Sequence, residues 1–575
     1  MVSNQWEFRV NNSELDLASL AKQLEISPFL ADILMRRGLT DVRAMDEFLS
    51  PKLGRLTPPA KWPNLPECAQ LLVDKLLGPG KLVIWGDYDV DGVTATTLCL
   101  EIFEYHGFKP RFYIPSRNIE GYGLNQPGLE QLAKEGLNLL LTVDCGIANI
   151  QEIDYAKELG FTVIVSDHHL PAQTLPRADA ICNPKVMPKD KAPYQDLAGV
   201  GVAFYLMAEV NRLLSLKLNH KPYPMDLVLD LVALGTLADL MPLTGENRLL
   251  VSGGLKYIKA AKRMGIAALK IVSGSIVAAE MKSIEISFKL APRLNAAGRI
   301  EHANSALALL RAKDFETARK IAEHLDALNN LRRTEEEKIL AEARLAASEE
   351  LPKSKNTLVI YGENWHPGII GIVAARLVEE FGRITFVLCK HKDVYKGSGR
   401  TTGQVDLYGL LAQVSEHLLA YGGHKSAAAI TITPEKLEPF RRAFAEVADN
   451  CEFKLKKLII DGELSLSSAF CAETINEIAL LEPFGQANPE PIFSSPPLIV
   501  EKHEFLGYDR KNILLSVYEQ DSGIRMQAKG WRLANIYPPS SLAGKKVRLA
   551  YILRLNFFRG IPQPELEIKD ILLLD

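Results

Sequence analysis

The chain has 575 residues, of which 47% are hydrophobic and 24% charged, and its 67 Lys and Arg stand against 70 Asp and Glu for a formal net charge of −3. At about 150 residues per domain this length asks for roughly four domains, and the balanced composition excludes a disordered tail protein and a membrane protein. It also excludes a polycation that coats nucleic acid by charge alone, so a nucleic-acid site is expected only as a local basic groove.

Seven cysteines, Cys68, Cys99, Cys145, Cys182, Cys389, Cys451 and Cys471, lie far apart without a C-x-x-C pair, which argues against a disulfide framework or a zinc finger. The first twenty residues lack a basic segment followed by an apolar one, and no run approaches the roughly 18 apolar residues of a spanning helix. The expectation is a reduced, cytoplasmic protein with no membrane contact.

Residues 1–75 alternate short amphipathic pieces with Pro-bearing stretches such as 51–66, as in an N-terminal extension packed on something larger. From Lys81 apolar runs alternate with helical patterns: LVIW (82–85), a helix over 94–106, RFYI (111–114), a helix near 126–135, LNLLLTV (137–143), a helix over 147–159 and FTVIVS (161–166). Strand and helix in this order predict a parallel α/β sheet. Residues 196–260 have helical spacing, and between Asp314 and Leu351 there is neither Gly nor Pro, which predicts one long helix or a broken pair acting as a rigid spacer between lobes. A second α/β unit starts near 355. The last 120 or so residues turn β-like, with Val547, Leu549, Tyr551, Leu553 and Leu555 at period two, and predict a small antiparallel barrel.

The strongest chemical feature is GDYDVDG (86–92), where Asp87, Asp89 and Asp91 alternate directly after an apolar strand and before a helix. Carboxylates this close repel one another unless a cation neutralises them. A solvated acidic turn with an Asp capping a helix at Val93 or Thr94 is the plainer alternative, and the twelve-residue calcium loop with its final Glu is missing. The same punctuation recurs downstream: LLLTV ends at Asp144, and TVIVS ends at Asp167, His168 and His169. In a parallel sheet all strand C-termini share one edge, so these groups are expected to converge on one crevice. Asp239, after a long apolar helical stretch, would be a fourth contributor, or else a helix-terminal cap or a partner of Arg248. Oxygen ligands with imidazole and no thiolate suit manganese or magnesium, with Cys145 a small buried side chain beside them. Two such ions sharing a carboxylate predict hydrolysis of a phosphate ester or anhydride.

The sequence resembles the DHH phosphoesterase superfamily, and within it the single-strand-specific 5′-to-3′ DNA exonucleases of bacteria. The motifs that carry the likeness are DYDVDG, GYGL (121–124), TVDCGI (142–147), SDHH (166–169), GVGVAF (199–204), LGTLADLMPLTGENR (234–248), APRLNAAGR (291–299), KGSGR (396–400), GGHKSAA (422–428) and LLEPFGQANPEP (480–491), in family order from about residue 75 onward. The resemblance implies a two-lobed α/β core in which a parallel DHH domain and a DHH-associated domain are joined by a long helix, followed by a β-barrel OB-fold. It divides the chain into an extension (1–75), a catalytic domain (76–260), a helical connector (261–350), the associated domain (351–452) and a nucleic-acid-binding OB-fold (453–575).

Carried over by position, the resemblance implies that Asp87, Asp89, Asp91, Asp144, His168 and Asp239 bind two Mn2+ or Mg2+ ions. His169 would contact the scissile phosphate or hold a ligand in place. Gly422, Gly423 and His424 would bind phosphate through backbone N–H groups, and Asn295, Arg299, Ser398 and Arg400 would hold the terminal phosphate and the nucleotide backbone. In the barrel, Trp531, Tyr508, Phe557, Phe558, Arg510, Lys511 and Arg559 are candidate contacts to a single strand. The implied activity is release of mononucleotides from the 5′ end of single-stranded DNA, in recombination and repair, by a monomer supplied by a helicase and a single-strand-binding protein. The alternatives are a small-substrate DHH phosphodiesterase acting on oligoribonucleotides or cyclic dinucleotides, and a non-catalytic DNA-binding scaffold. The complete Asp and His set speaks against the last, and the segments outside the two lobes argue for a polymeric substrate.

Overall fold

The computed structural model describes residues 5–10, 16–188, 192–401, 405–449, 451, 457–507, 510–538, 541–556 and 563–574. They form two compact units, Leu53–Lys454 and the pair of segments Met1–Lys52 with Leu455–Asp575.

The larger unit begins as the sequence pattern requires. Five strands lie in the spatial order Arg111–Tyr113, Leu82–Trp85, Leu139–Val143, Thr162–Ser166 and Ala180–Cys182, every neighbouring pair parallel. The central strands Leu82–Trp85 and Leu139–Val143 are buried along their whole length, and only Thr142 in them is polar, because helices cover both faces. The pleat sends Ile84, Leu141 and Ile164 into one core, with Leu98, Phe103, Val210 and Val232 of the helices on that side. Val83, Trp85, Leu140 and Val165 enter the opposite core with Leu129 and Ile153. The strand order reverses between Leu82–Trp85 and Leu139–Val143, and such a switch point leaves a crevice beyond the strands' carboxyl ends. The helix Gly199–Leu218 is long and apolar enough to cross a membrane by length and composition, but 78% of that stretch is buried in this core.

The Gly- and Pro-free segment is one unbroken helix, Phe315–Glu350, whose N-cap Asp314 accepts from the Thr317 N–H at 2.8 Å. It is more than a spacer. Ala318, Ala322, Leu325 and Leu328 belong to the first lobe's core, whereas Ile339, Leu340, Ala343 and Ala347 belong to the second's. Leu269, Leu294 and Leu309, from helices of the stretch assigned to a connector, also pack in the first core. The second lobe carries a mixed sheet in the order Ala420–Gly423, Ala427–Ile432, Val394–Arg400, Ile384–His391, Thr357–Gly362, in which only the last pair is parallel.

In the smaller unit, strands Leu498–Leu506, Asn512–Tyr518, Arg525–Gly530, Gln563–Leu574 and Lys546–Asn556 close into a five-stranded barrel. Val547, Leu549 and Tyr551 are fully buried, whereas Leu555, near the end of the same strand, is 37% exposed. The 1–75 stretch is divided between the units. Helices Pro28–Arg36 and Val42–Leu49 bury Leu30, Leu34 and Met45 with the barrel's Leu515 and Tyr551, while Leu65–Leu77 packs in the first α/β core. Each amphipathic piece buries its apolar face on a different core, and the Pro-rich stretch between them runs from one to the other.

Candidate active site

Strand Leu82–Trp85 runs into the acidic loop, and the following helix starts at Val90, four residues before the start of the helix over 94–106 expected from sequence. Asp89 is its N-cap, with Oδ1 accepting from the Gly92 N–H at 3.1 Å, and it also belongs to an acid cluster. Asp91, in the first turn, is buried with one carboxylate oxygen accepting from Gly199 N–H at 2.6 Å and the other from Val200 N–H at 2.8 Å. These are the first residues of a helix of 20 residues, whose N-terminal partial charge favours an anion. Only glycine fits at 199, since a Cβ there would collide with the Asp144 carboxylate.

Asp144 follows strand Leu139–Val143 with φ of 61°, a left-handed conformation that costs a residue with a side chain about 1–2 kcal/mol. Such strain persists where the surroundings over-determine it, often at functional sites. Three overlapping groups of donor atoms lie within 4.8 Å of one another: Asp87, Asp89 and Asp144; Asp91, His168 and Asp239; Asp144, His168 and His169. Nε2 of His168 lies 3.1 Å from Asp144 Oδ1, 3.6 Å from Asp239 Oδ2 and 3.9 Å from Asp91 Oδ2. The Oδ1 atoms of Asp87 and Asp144 and this Nε2 are buried without a hydrogen-bond partner among the described residues.

Buried lone pairs facing one another are expensive unless a cation lies between them. The titration of these groups says the same. Burial and then neighbouring carboxylates push Asp87, Asp144 and Asp239 well above the ordinary range, and Asp91 to about 7. Burial and the neighbouring His169 hold His168 down at about 3, so its ring is neutral and its lone pair free to ligate. Carboxylate oxygens and imidazole without thiolate fit a hard divalent ion. Cys145 stands apart, its Sγ directed at the Trp85 carbonyl at 3.7 Å.

Asp167, the acid of SDHH, has a different task. Its Oδ1 accepts from the backbone N–H groups of His168 (2.7 Å) and His169 (3.1 Å) and contacts His169 Nδ1 at 2.8 Å, and its Oδ2 accepts from Ile147 N–H at 2.9 Å. So occupied, it shapes the loop and orients His169. Burial alone would lower the His169 pKa, but the hydrogen bond to Asp167 and the surrounding carboxylates raise it to about 9. Tyr122, of the GYGL motif, places its hydroxyl 3.2 Å from the Asp144 carbonyl and 3.1 Å from His169 Nδ1, a role that its place in the sequence did not reveal.

Across the cleft, the His424 ring stacks on that of His169 at 6.2 Å between centroids. Gly422 and Gly423 close the hairpin behind it, and Gly423, at φ of 142°, has no room for a Cβ against the Ala427 carbonyl. Arg299 is half-buried and donates to the Gly368 carbonyl at 3.1 Å, and Arg400 donates to Ser398 Oγ at 2.9 Å. Burial, then Arg117, Arg332 and Arg400, lower the Arg299 pKa to about 9, and burial, then Arg117, lower that of Arg400. Ser398 Oγ and Arg400 flank Gly371, in the first turn of helix Ile370–Phe381. Crowded guanidiniums beside a helix N-terminus make a site for a multiply charged oxyanion. Arg117, whose guanidinium lies 5.1 Å over the Tyr88 ring, belongs to this group and was not singled out in the sequence. Asn295 is placed differently from the expectation: its Oδ1 accepts from Val90 N–H at 3.2 Å, which ties helix Ala291–Ile300 to the acidic loop.

In the barrel, Trp531 is 53% exposed and the Arg510 guanidinium lies 5.6 Å over the Phe505 ring. Tyr508, Phe557, Phe558 and Arg559 lie outside the described residues.

An acid and imidazole edge on a parallel sheet, faced by a second α/β lobe, defines the DHH phosphoesterase class. Residues 81–236 match the N-terminal domain of the DHH family, 354–450 match the DHHA1 domain and 460–570 match the RecJ OB domain. The chain belongs to the RecJ family. It is 33% identical to a single-stranded-DNA-specific exonuclease RecJ of Bacillus subtilis over 99% of this chain and 71% of the relative, and 34% identical to that of Haemophilus influenzae over 93% and 94%. The crystal structure of RecJ in complex with Mn2+ from Thermus thermophilus superposes with a TM-score of 0.84 at 29% identity, covering 99% of this chain and 80% of that one. A second structure from the same source is a complex with Mg2+.

Proposed function

We propose that the protein is a divalent-metal-dependent exonuclease that hydrolyses single-stranded DNA from its 5′ end to mononucleotides. The observation that carries this is the set of buried Asp87, Asp144 and His168 lone pairs, without hydrogen-bond partners among the described residues, spread over three overlapping ligand groups. In this reading Asp87, Asp89 and Asp144 would hold one Mn2+ or Mg2+ ion, and Asp91, His168 and Asp239 would hold a second. Bound there, the ions supply Lewis acidity that activates water and neutralises the scissile phosphate.

The chain's own residues do the rest. Arg117, Arg299, Ser398 and Arg400 hold a 5′-terminal phosphate, and the position of that pocket relative to the acid cluster decides which bond is cut. The shortened strand must again present a 5′-phosphate to the arginines, so the bond broken is that between phosphorus and the 3′ oxygen. Asp167 keeps His169 protonated and oriented toward the phosphate, with Tyr122 at the same nitrogen. The barrel, with Trp531 and Arg510 on its surface, suits a single strand, because stacking and cationic contacts need unpaired bases. Recombinational and repair processing of strands supplied by a helicase and coated by a single-strand-binding protein, by a monomer in the cytoplasm, fits this activity.

The test is digestion of single strands labelled at either end, with and without Mn2+, beside a dinucleotide. Release of labelled mononucleotide from the 5′ end alone, only with metal, is expected. Equal or faster turnover of the dinucleotide would assign the site to a small-substrate phosphodiesterase.

A further inference from the structure

The helix Ala291–Ile300 touches both halves of the candidate site with one face. Asn295, Gly298 and Arg299 stand at i, i+3 and i+4, so all three positions look the same way. Arg299 belongs to the arginine group, whereas Asn295 Oδ1 accepts at 3.2 Å from the N–H of Val90, the residue between Asp89 and Asp91. Gly298 lies so close to the acidic loop that a Cβ would stand 2.6 Å from the Tyr88 carbonyl oxygen, nearer than such atoms approach. Tyr88 is itself the residue between Asp87 and Asp89, and its ring carries the Arg117 guanidinium at 5.1 Å. Asn118, next to Arg117, donates through Nδ2 to the Arg299 carbonyl at 3.3 Å, and that carbonyl leaves no room for a Cβ on Gly368. Two residues before Asn295, and so on the other side of the helix, Arg293 Nε donates to Asp326 Oδ1 of the long helix at 2.8 Å. Ala296 and Ala297 are fully buried. The helix is thus wedged between its backing and the acidic loop, and close-packed contacts of this kind transmit a displacement instead of absorbing it.

We propose that Asn295 and Gly298 are positioning residues that fix the span between the phosphate-binding arginines and the metal cluster, and thereby limit the product to one nucleotide. This rests on the hydrolase reading above. A strand held by its 5′-phosphate presents to the ions whichever linkage lies at the fixed distance from the pocket. One nucleotide is released when the span matches a single nucleotide unit, and a longer span brings the next linkage to the ions instead. Neither residue touches the strand in this assignment. Asn295 ties the helix to the loop by its hydrogen bond, and Gly298, lacking a side chain, permits the closest approach. A Cβ at position 298 would press Arg299 and the acidic loop apart and lengthen the span. Alanine also favours the helical conformation over glycine, so the helix itself is not weakened by that change.

The experiment compares the unaltered protein with Asn295→Ala and Gly298→Ala on single strands bearing a labelled 5′-phosphate, at saturating Mn2+. Products are resolved by length, and the rise in melting temperature that Mn2+ produces is measured alongside. Gly298→Ala is expected to lower kcat by about 10²-fold, the cost of a misplacement of about 1 Å, and Asn295→Ala by about tenfold, each with KM within about threefold. In both variants the dinucleotide share of the labelled product should rise at least about tenfold. The Mn2+-induced melting shift should persist, which also shows that the variants fold. Unaltered kcat, or product that stays wholly mononucleotide, would overturn the assignment. So would a KM raised beyond that range or a lost Mn2+ shift, because either places the residue within one of the two sites and not between them. Absence of nucleotide release by the unaltered protein would instead reject the hydrolase reading, and this one with it.

Discussion

Asp144 carries more conflicting demands than its neighbours: burial, left-handed backbone, and repulsion from Asp91, Asp89, Asp87 and Asp239. Such a carboxylate is kept for what it binds, not for stability. Asp144→Asn is therefore expected to lower turnover by about 10³-fold or more while raising the melting temperature of the metal-free protein. Calorimetry in chelator and in Mn2+ would check this, since the variant should also lose the Mn2+-induced rise. A pH dependence follows from Asp91, held at about 7 against a usual 3.8. The folded metal-free state binds more protons between those values, so this contribution to stability is complete below the lower one and is lost as pH rises through the upper. Melting temperature in chelator should fall from pH 5 to pH 8, and the gain from Mn2+ should grow across the same interval. Arg400, beside Ser398 and Arg117, belongs to the pocket proposed for the terminal phosphate. Arg400→Ala should remove about 1.5–3 kcal/mol of charged hydrogen bonding, seen as a rise of about 10–100-fold in KM for 5′-phosphorylated strands and little change for 5′-hydroxyl ones.

Among the elements, the helix Phe315–Glu350 is the one whose role the sequence predicted only in part. Its length follows from the lack of Gly and Pro, but its packing in two cores depends on which faces the other helices leave uncovered. Leu325, fully buried in the first of those cores, is a test. Leu325→Ala should cost about 2–5 kcal/mol in the stability of the two-lobed unit, measured by denaturant unfolding followed within that unit. The strand ends were more legible. Asp87, Asp89, Asp91, Asp144 and His168 each follow an apolar run, and parallel pairing brings such ends together wherever the helices lie. Tyr122 and Arg117 come from loops, with no periodicity to announce them. Their partners are decided by how those loops cross the sheet edge.

For the whole molecule, the division into two units has a thermodynamic consequence. Every proposed metal ligand lies within Leu53–Lys454, and none within the barrel unit. Binding stabilises only the part that binds, by about 2.7 kcal/mol at a hundredfold excess over Kd. Scanning calorimetry is expected to give more than one transition, of which the one belonging to the two-lobed unit moves upward with Mn2+. A single transition that shifts as a whole would mean that the units unfold together. The extension at the N-terminus shows why domain boundaries were harder to infer than elements. Amphipathic spacing says that Leu30, Leu34 and Met45 need a core, but not that the barrel at the far end of the chain supplies it.

By itself the sequence determined the strands, the helices and the chemical types at the strand ends, because local apolar periodicity and the right-handed parallel crossover leave few other arrangements. It also determined family membership, through ten motifs in fixed order. Tertiary structure alone decided that Asp144 belongs to two ligand groups, that Asn295 braces the acidic loop and that Arg117 joins Arg299 and Arg400. Such distances between residues far apart in the chain are set by how helices and loops pack, and no pattern within a segment encodes them.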